Sequence, residues 1–418
     1  MVYPTPAKTR CERGQKMKKK APVYKAVLAL AAIALAAAGP AYATNGMKVI
    51  GVGPIQRSMG GASVGLPLDA ATTITNPAGL SELQRRLDIG ATYFSPDVSY
   101  KAHSEAAMVT HDNSSISSDT GACTMPSIGL ALPIDEIWSF GIGAYGVCGM
   151  GVDYKSNLYN NVTYTDYGFM KIAPAISRRF GEKLSLGIAL NLDCAQMDYE
   201  AGSTAEVPHH NGHEYGLGFT AGAIYKLTDV VTLGFAYESK QDFSDFEFNT
   251  TSGRDKLAFD QPQNITFGVG IRPAERWRIA FDAAWIDWSQ VMGKDQPKYT
   301  ENSSGAMPWN MNWDEQYVFK AGLEYDLNEK VKLRAGYNYG KNPLDSSRAF
   351  ENIAFPAIAE HHITAGTGIM LNKNLALNIG FMYAPKVSLE TGNPSQYIDS
   401  ATTKMSQYSI DIGLSYTF

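Results

Sequence analysis

The 418-residue chain is mildly acidic, with a formal net charge of −5, and beyond residue 43 no cluster of Lys and Arg provides the electrostatic footprint that a nucleic-acid partner needs. Its four cysteines are too few for a disulfide scaffold. No run of eighteen apolar residues occurs beyond residue 43, which excludes membrane-spanning helices but leaves a membrane-spanning barrel open.

At the N-terminus Lys16, Lys18, Lys19, Lys20 and Lys25 precede an apolar run from Ala26 to Ala38, followed by Gly39-Pro40-Ala41-Tyr42-Ala43. Basic residues, a short apolar stretch and small residues in that order predict a secretory signal peptide over residues 1–43, cleaved before Thr44. Met17, just ahead of the lysines, is an alternative start. The apolar run is too short to serve as a stable anchor. About 375 residues then remain, enough for two or three soluble domains or for one large barrel. Of their cysteines, Cys123, Cys148 and Cys194, at most two can pair.

Residues 44–86 are glycine-rich, lack alternation and contain the stretch TITNPAGLSEL, Thr73 to Leu83. An Asn-Pro pair between apolar residues signals a turn. After it, apolar residues alternate with small or polar ones at the period of a strand. From Gln407 to Phe418 the even positions are Tyr408, Ile410, Ile412, Leu414, Tyr416 and Phe418, and the odd ones are polar or small. The same dyad runs through Leu184 to Leu192 and Leu375 to Tyr383. Fourteen such segments are expected, at 87–100, 124–133, 136–147, 165–180, 183–198, 213–227, 230–248, 261–273, 276–291, 314–327, 330–341, 359–372, 374–390 and 404–418.

Their connections alternate tight and long. Ile134-Asp135, Gly181-Glu182, Thr228-Asp229, Ala274-Glu275, Asn328-Glu329 and Lys373 are tight. An even strand count with all long loops at one end predicts an all-β fold, a fourteen-stranded antiparallel transmembrane barrel of the bacterial outer membrane over residues 87–418. A soluble sandwich or propeller has no reason to segregate its loops this way. In hydrocarbon the sheet must close and turn its apolar face outward, so the Leu, Ile and Phe sets face lipid. Tyr and Trp near segment ends form the interfacial girdles. A barrel of this size leaves a wide lumen, and residues 44–86 are suited to fill it as a hatch. By strand parity Lys171, Lys320 and Arg334 face the lumen, with Arg276, Arg278 and Glu324.

Arg57-Ser58-Met59-Gly60-Gly61-Ala62, then Asp69, then Asn76-Pro77-Ala78-Gly79-Leu80 resemble the hatch of the outer-membrane long-chain fatty acid transporter family (FadL-like, the OMPP1/FadL/TodX group). The resemblance covers the whole mature sequence, including the Trp285-Ile286-Asp287-Trp288-Ser289 segment. It implies passive transport of hydrophobic compounds, with long-chain fatty acids first and aromatic or alkane hydrocarbons as the alternative. The ligand would enter from outside, occupy an apolar lumen pocket and leave sideways through a gap in the wall when the hatch shifts. In the family that gap comes from an inward kink of the third strand. Here that strand carries Gly141, Gly143, Gly146, Gly149 and Gly151, and glycine permits bends and bulges. Asn76, Pro77, Ala78 and Gly79 would then plug the gap. A fatty-acid carboxylate calls for a cation. Lys320 and Arg334, on adjacent strands, are the first candidates, with Lys171 third.

Neither a general porin nor an outer-membrane lipid hydrolase fits as well. The 44–86 segment predicts an obstructed lumen, and the histidines at His209, His210, His213, His361 and His362 accompany no serine motif. The HHNGH stretch reads as a solvated loop rather than a metal site. No catalytic residue, metal or cofactor is expected. The expected partners are a hydrophobic small molecule and outer-membrane lipids, and the expected state is a monomer.

Overall fold

The computed structural model describes residues 45–105, 112–155, 162–202, 212–250, 253–301, 305–308, 311–395 and 398–418; the expected signal peptide lies outside them. The wall strands are β1 (Arg86–His103), β2 (Cys123–Pro133), β3 (Trp138–Asp153), β4 (Val162–Phe180), β5 (Leu184–Gly202), β6 (Gly212–Lys226), β7 (Val231–Glu238), β8 (Asn264–Ala274), β9 (Trp277–Ile286), β10 (Gln316–Asp326), β11 (Val331–Gly340), β12 (His361–Met370), β13 (Leu375–Ser395) and β14 (Ile398–Thr417). Each pairs antiparallel with its sequence neighbours. β1 pairs with β14 from Arg86↔Thr417 to His103↔Ser400 and with β2 from Arg86↔Ala131 to Phe94↔Cys123. The sheet is thereby closed into a fourteen-stranded barrel, as the alternation predicts.

Burial follows the dyad. On β5, Leu186, Ile188, Leu190 and Leu192 are exposed on the outer face, whereas Ser185, Asn191 and Asp193 are buried on the inner one. Two aromatic belts mark the ends of the apolar band. At the tight-turn end Trp277 packs on Tyr325 with ring centroids 4.4 Å apart, and the Arg178 guanidinium covers Trp138 and Phe180. At the other end Tyr215, Tyr317, Tyr337 and Tyr383 point outward.

Two expected strands end early. The segment expected at 230–248 leaves the wall after Glu238, because Gln241 turns back to Gln261 and Lys240 pairs with Asp242 and Asp260. Beyond it Phe246–Thr250 joins Gly253–Leu257, Lys298–Glu301 and Gly305–Pro308 in a separate four-stranded sheet on the long-loop side. The segment expected at 276–291 ends at Ile286. A short helix, Trp288–Met292, follows and buries the Trp288 ring, whose indole N–H donates to Gln316 Oε1 at 3.1 Å.

Residues 45–82 lie inside the barrel, and Gln84 and Arg85 are exposed where the chain joins β1. Helix α1 (Gly53–Ser58) starts on Pro54, a residue that suits a first helical turn. Helix α2 (Thr72–Thr75) leads into a 3₁₀ turn over Pro77–Glu82. Asn76 caps that turn, its Oδ1 accepting the Ala78 N–H at 3.2 Å. The Asn-Pro pair is therefore a capped helical start: the asparagine supplies an acceptor and the proline gives up a donor that has no partner at that position.

Candidate functional site

The inner segment is seated on glycines of the wall. A Cβ at Gly336 would lie 2.1 Å from Gly60 N, one at Gly234 2.1 Å from Val64 O, and one at Gly222 2.0 Å from Asn76 Oδ1. These strands admit another backbone at van der Waals distance only because they carry no side chain there. Polar bonds complete the seating. Asp282 Oδ2 accepts the Ser63 and Val64 N–H groups at 2.8 and 3.1 Å, and Thr364 Oγ1 accepts the Gly60 N–H at 3.0 Å. Buried Arg57 pairs with buried Asp411 at 3.1 Å. Tyr145 donates to Ala70 O at 2.9 Å, and its ring occupies the space that side chains at Gly129 and Gly143 would fill. Asp69, itself on the inner segment, is held by Gln56 Nε2 at 2.9 Å. Burial, and then the nearby Asp88 carboxylate, raise its pKa to about 7 against the opposing pull of Arg86.

The wall is interrupted at β3. Its ladder with β2 ends at Ser127↔Tyr145, and its ladder with β4 carries a bulge between Gly146 and Cys148. From Ala144 to Val152 both faces of β3 are buried, so the strand has left the lipid-facing surface. The edge so freed does not stay bare. Val49 N–H donates to Val147 O at 3.1 Å and Gly149 N–H to Met47 O at 3.2 Å, so that Met47-Lys48-Val49 replaces β2 as the antiparallel neighbour. Further out, Asp119 N–H donates to Asp153 O at 2.8 Å and the wall resumes.

Of the glycines named from sequence, Gly146 borders the bulge and Gly149 pairs with the inner segment. Gly141 receives Leu80 and Thr73, and Gly143 receives Tyr145. Asn76 to Gly79 are placed elsewhere than expected. Asn76 Nδ2 donates to Ala223 O at 3.2 Å and to Val64 O at 2.8 Å, Ala78 O accepts from Ser177 Oγ at 3.2 Å, and Pro77 and Ala78 lie against Gly187. The turn thus sits on β4, β5 and β6, and the section that meets the freed edge of β3 is Met47 to Val49.

Beside that edge is a lumen cavity of about 110 Å³, bordered by Val49, Val147, Ile286 and Val318 and by three lysines, Lys48, Lys171 and Lys320. Glu238 binds Lys48 at 2.5 Å and also pairs with Lys171. Lys320 lies opposite Asp282 across β9 and β10 and donates to Ile50 O at 3.3 Å. The structure therefore brings together Lys171 and Lys320 but not Arg334. Arg334 belongs to an ion network at the tight-turn end, bonded to Glu324 at 2.7 Å and to Asn378 at 3.0 Å. Adjacent strands do not imply equal height, since Lys320 registers with Asn338, four residues along β11 from Arg334. Lys48 escapes a parity reading because the inner segment has no period, whereas Glu238 shares the inward parity of Ala236 and is missed by a search for cations alone.

Above the cavity, toward the long loops, the lumen is apolar. Trp288 and Trp313 meet at 5.1 Å, Tyr167 and Phe259 at 5.0 Å, and Met292 and Met311 are fully buried. Gly46 approaches the Trp288 ring so closely that a Cβ there would lie 2.4 Å from it. Of the remaining chemistry-bearing groups, His209 and His210 lie outside the described residues. Among the described residues no group of three His, Cys, Asp or Glu could hold a metal ion.

A lipid-faced barrel whose lumen is occupied by its own N-terminal segment, and whose wall is broken at one strand, defines an obstructed outer-membrane channel. Residues 27–418 match the model of the outer membrane protein transport protein family (OMPP1/FadL/TodX), and the chain belongs to that family. It is a protein of the bacterial outer membrane. Among curated relatives it is similar to the long-chain fatty acid transport proteins of Salmonella typhi, 22% identical over 381 residues, and of Escherichia coli (strain K12), 21% identical over 392. Each match covers 79% of this chain and 85% of the relative. Among solved structures it resembles the Pseudomonas putida toluene transporter TodX, with TM-score 0.72, 21% identity and coverage of 88% of this chain and 99% of that one. It also resembles a Pseudomonas aeruginosa FadL homologue, with TM-score 0.73, 16% identity and coverage of 89% and 100%. At these identities the likeness to the structures is one of fold.

Proposed function

We propose that this protein passes hydrophobic molecules, long-chain fatty acids first among them, from the outside through the apolar upper lumen to the lysine-bordered cavity. From there they move sideways into the membrane between β2 and β3. The observation that carries the reading is the position of the cavity: it touches both Lys320 and the inner segment that covers the freed edge of β3. A carboxylate there exchanges one buried acceptor of Lys320 for a charged one, and charge-assisted bonds are roughly twice as strong as neutral ones. Release requires that Met47 to Val49 give up two backbone hydrogen bonds to β3 and that Lys48 part from Glu238; no energy source is invoked. In this reading the Asn76 to Gly79 turn anchors the inner segment as a hatch, and residues 45–52 are the part that moves.

A neutral hydrocarbon substrate is the second reading, supported by Glu238, which already pairs with two of the three lysines. Oleate and toluene separate the two. Titration of the detergent-purified protein should give saturable oleate binding that Lys320→Ala weakens by about 1.5–3 kcal/mol, roughly 10- to 150-fold. Saturable toluene binding with none for oleate would favour the hydrocarbon reading. Binding of neither ligand would refute both.

A further inference from the structure

The loop between β11 and β12 contains an apolar stretch, Asn352-Ile353-Ala354-Phe355-Pro356-Ala357-Ile358-Ala359, and every residue of it is buried. Surface connections normally stay polar and wet, because buried irregular backbone is hard to satisfy. Part of its backbone is bonded locally. Ile353 N–H donates to Phe350 O, Phe355 N–H to Asn352 O, Ala357 N–H to Phe355 O and Ile358 N–H to Pro356 O, all within the loop.

Among the described residues it has ties of two kinds. One is a polar pin at its start, where Asn352 Oδ1 accepts the Trp313 indole N–H at 2.6 Å and its Nδ2 donates to Met311 O at 2.9 Å. The other is apolar contact, led by the Phe355 ring 5.2 Å from Phe259. Apolar contacts are non-directional, so another apolar body can replace them. The buried apolar cluster that contains the strap also contains Met292 and Met311, whose side chains are adaptable.

Space makes the same point. Sites that enclose a small molecule are roughly 300–1,000 Å³, whereas the lysine-bordered cavity is about 110 Å³, so an acyl chain lodged in that cavity has to displace something. The strap is apolar, uncharged, partly bonded within its own loop and adjacent to the apolar route.

We propose that the Ile353–Ala359 strap is a built-in occupant of the chain-binding chamber, which a long aliphatic ligand displaces outward. The inference rests on the transport reading above and adds to it the element that gates entry. The strap lowers apparent affinity by the fraction of time it is seated. Ligands short enough for the existing cavity bind without moving it. Its neighbours extend to the exit, since Trp313 packs on Trp288 and Trp288 on Gly46, next to the segment that covers β3.

The test uses the mature protein, from Thr44 on, in detergent, with barrel folding verified by heat-modifiable gel migration. A strap that competes with ligand predicts that Phe355→Ala/Ile358→Ala tightens oleate binding about fivefold or more, and that Asn352→Ala, which removes the pin, acts in the same direction. A strap that forms part of the ligand's wall predicts the opposite, weaker binding in both variants, and that result would overturn the proposal. As a second readout, Ala357→Cys is introduced into a Cys123→Ser/Cys148→Ser/Cys194→Ser background and its maleimide labelling rate measured. Oleate should raise the rate several-fold while toluene leaves it unchanged. No change with saturating, bound oleate would overturn the strap while leaving the transport reading intact, and failure of oleate to bind at all would remove both.

Discussion

Replacing Asp282 by Ala tests whether the inner segment is held closed by the bonds described. Its Oδ2 accepts two buried backbone N–H groups, from Ser63 and Val64, and it is itself only 4% exposed. Truncation leaves both donors without an acceptor in a site closed to water, at about 1–3 kcal/mol each. The seated state is then weakened by about 2–6 kcal/mol, and at about 1.36 kcal/mol per decade its population relative to the released state falls at least 30-fold. Asp282→Asn keeps an acceptor oxygen while removing the charge opposite Lys320, and should change little. The assay is ion conductance of refolded protein in planar bilayers. Wild-type protein should show low, rarely interrupted conductance, and Asp282→Ala frequent openings. Conductance of the folded Asp282→Ala barrel indistinguishable from wild type would refute the reasoning. Equal effects of Ala and Asn would assign the role to the charge instead of the hydrogen bonds.

Gly222→Ala places a methyl group 2.0 Å from Asn76 Oδ1; the Asn-Pro turn must then shift, and bilayer conductance should rise with the barrel still heat-modifiable. Asp69 has a pKa raised to about 7, above the ordinary value near 3.8. Its stabilising contribution is therefore complete below about pH 4 and is lost as pH rises through about 7. Wild-type openings should become more frequent from pH 4.5 to 8, while Asp69→Asn, neutral throughout, should flatten that dependence.

Much of the barrel is legible in the sequence because lipid on one side and a polar lumen on the other impose a strict period of two. All six tight turns fall where the alternation breaks, at Ile134-Asp135 and its counterparts. β3 departs from that legibility for a physical reason: once Ala144 to Val152 leave the wall, neither face meets lipid, and the alternation that located the other strands disappears. Its glycines signal freedom to bend, not the direction taken. The inner segment has no period at all, so Lys48 gives no sign of its place in the cavity. Its seat is written instead in wall glycines such as Gly234 and Gly336, which look like ordinary strand weakeners until a second backbone is set against them. Arg334 shows the limit of parity, which fixes the face of the sheet but not the height along it. The apolar stretch Ile353–Ala359 was legible as composition, but only the fold places it inside.

The central claim is that the barrel moves hydrophobic molecules without an open aqueous pore. It is tested most directly by measuring oleate transfer into lipid vesicles carrying the purified protein, alongside ion conductance of the same preparation. The account predicts saturable oleate transfer, reduced by Lys320→Ala, with no steady conductance. A steady ohmic conductance without saturable oleate transfer would contradict it.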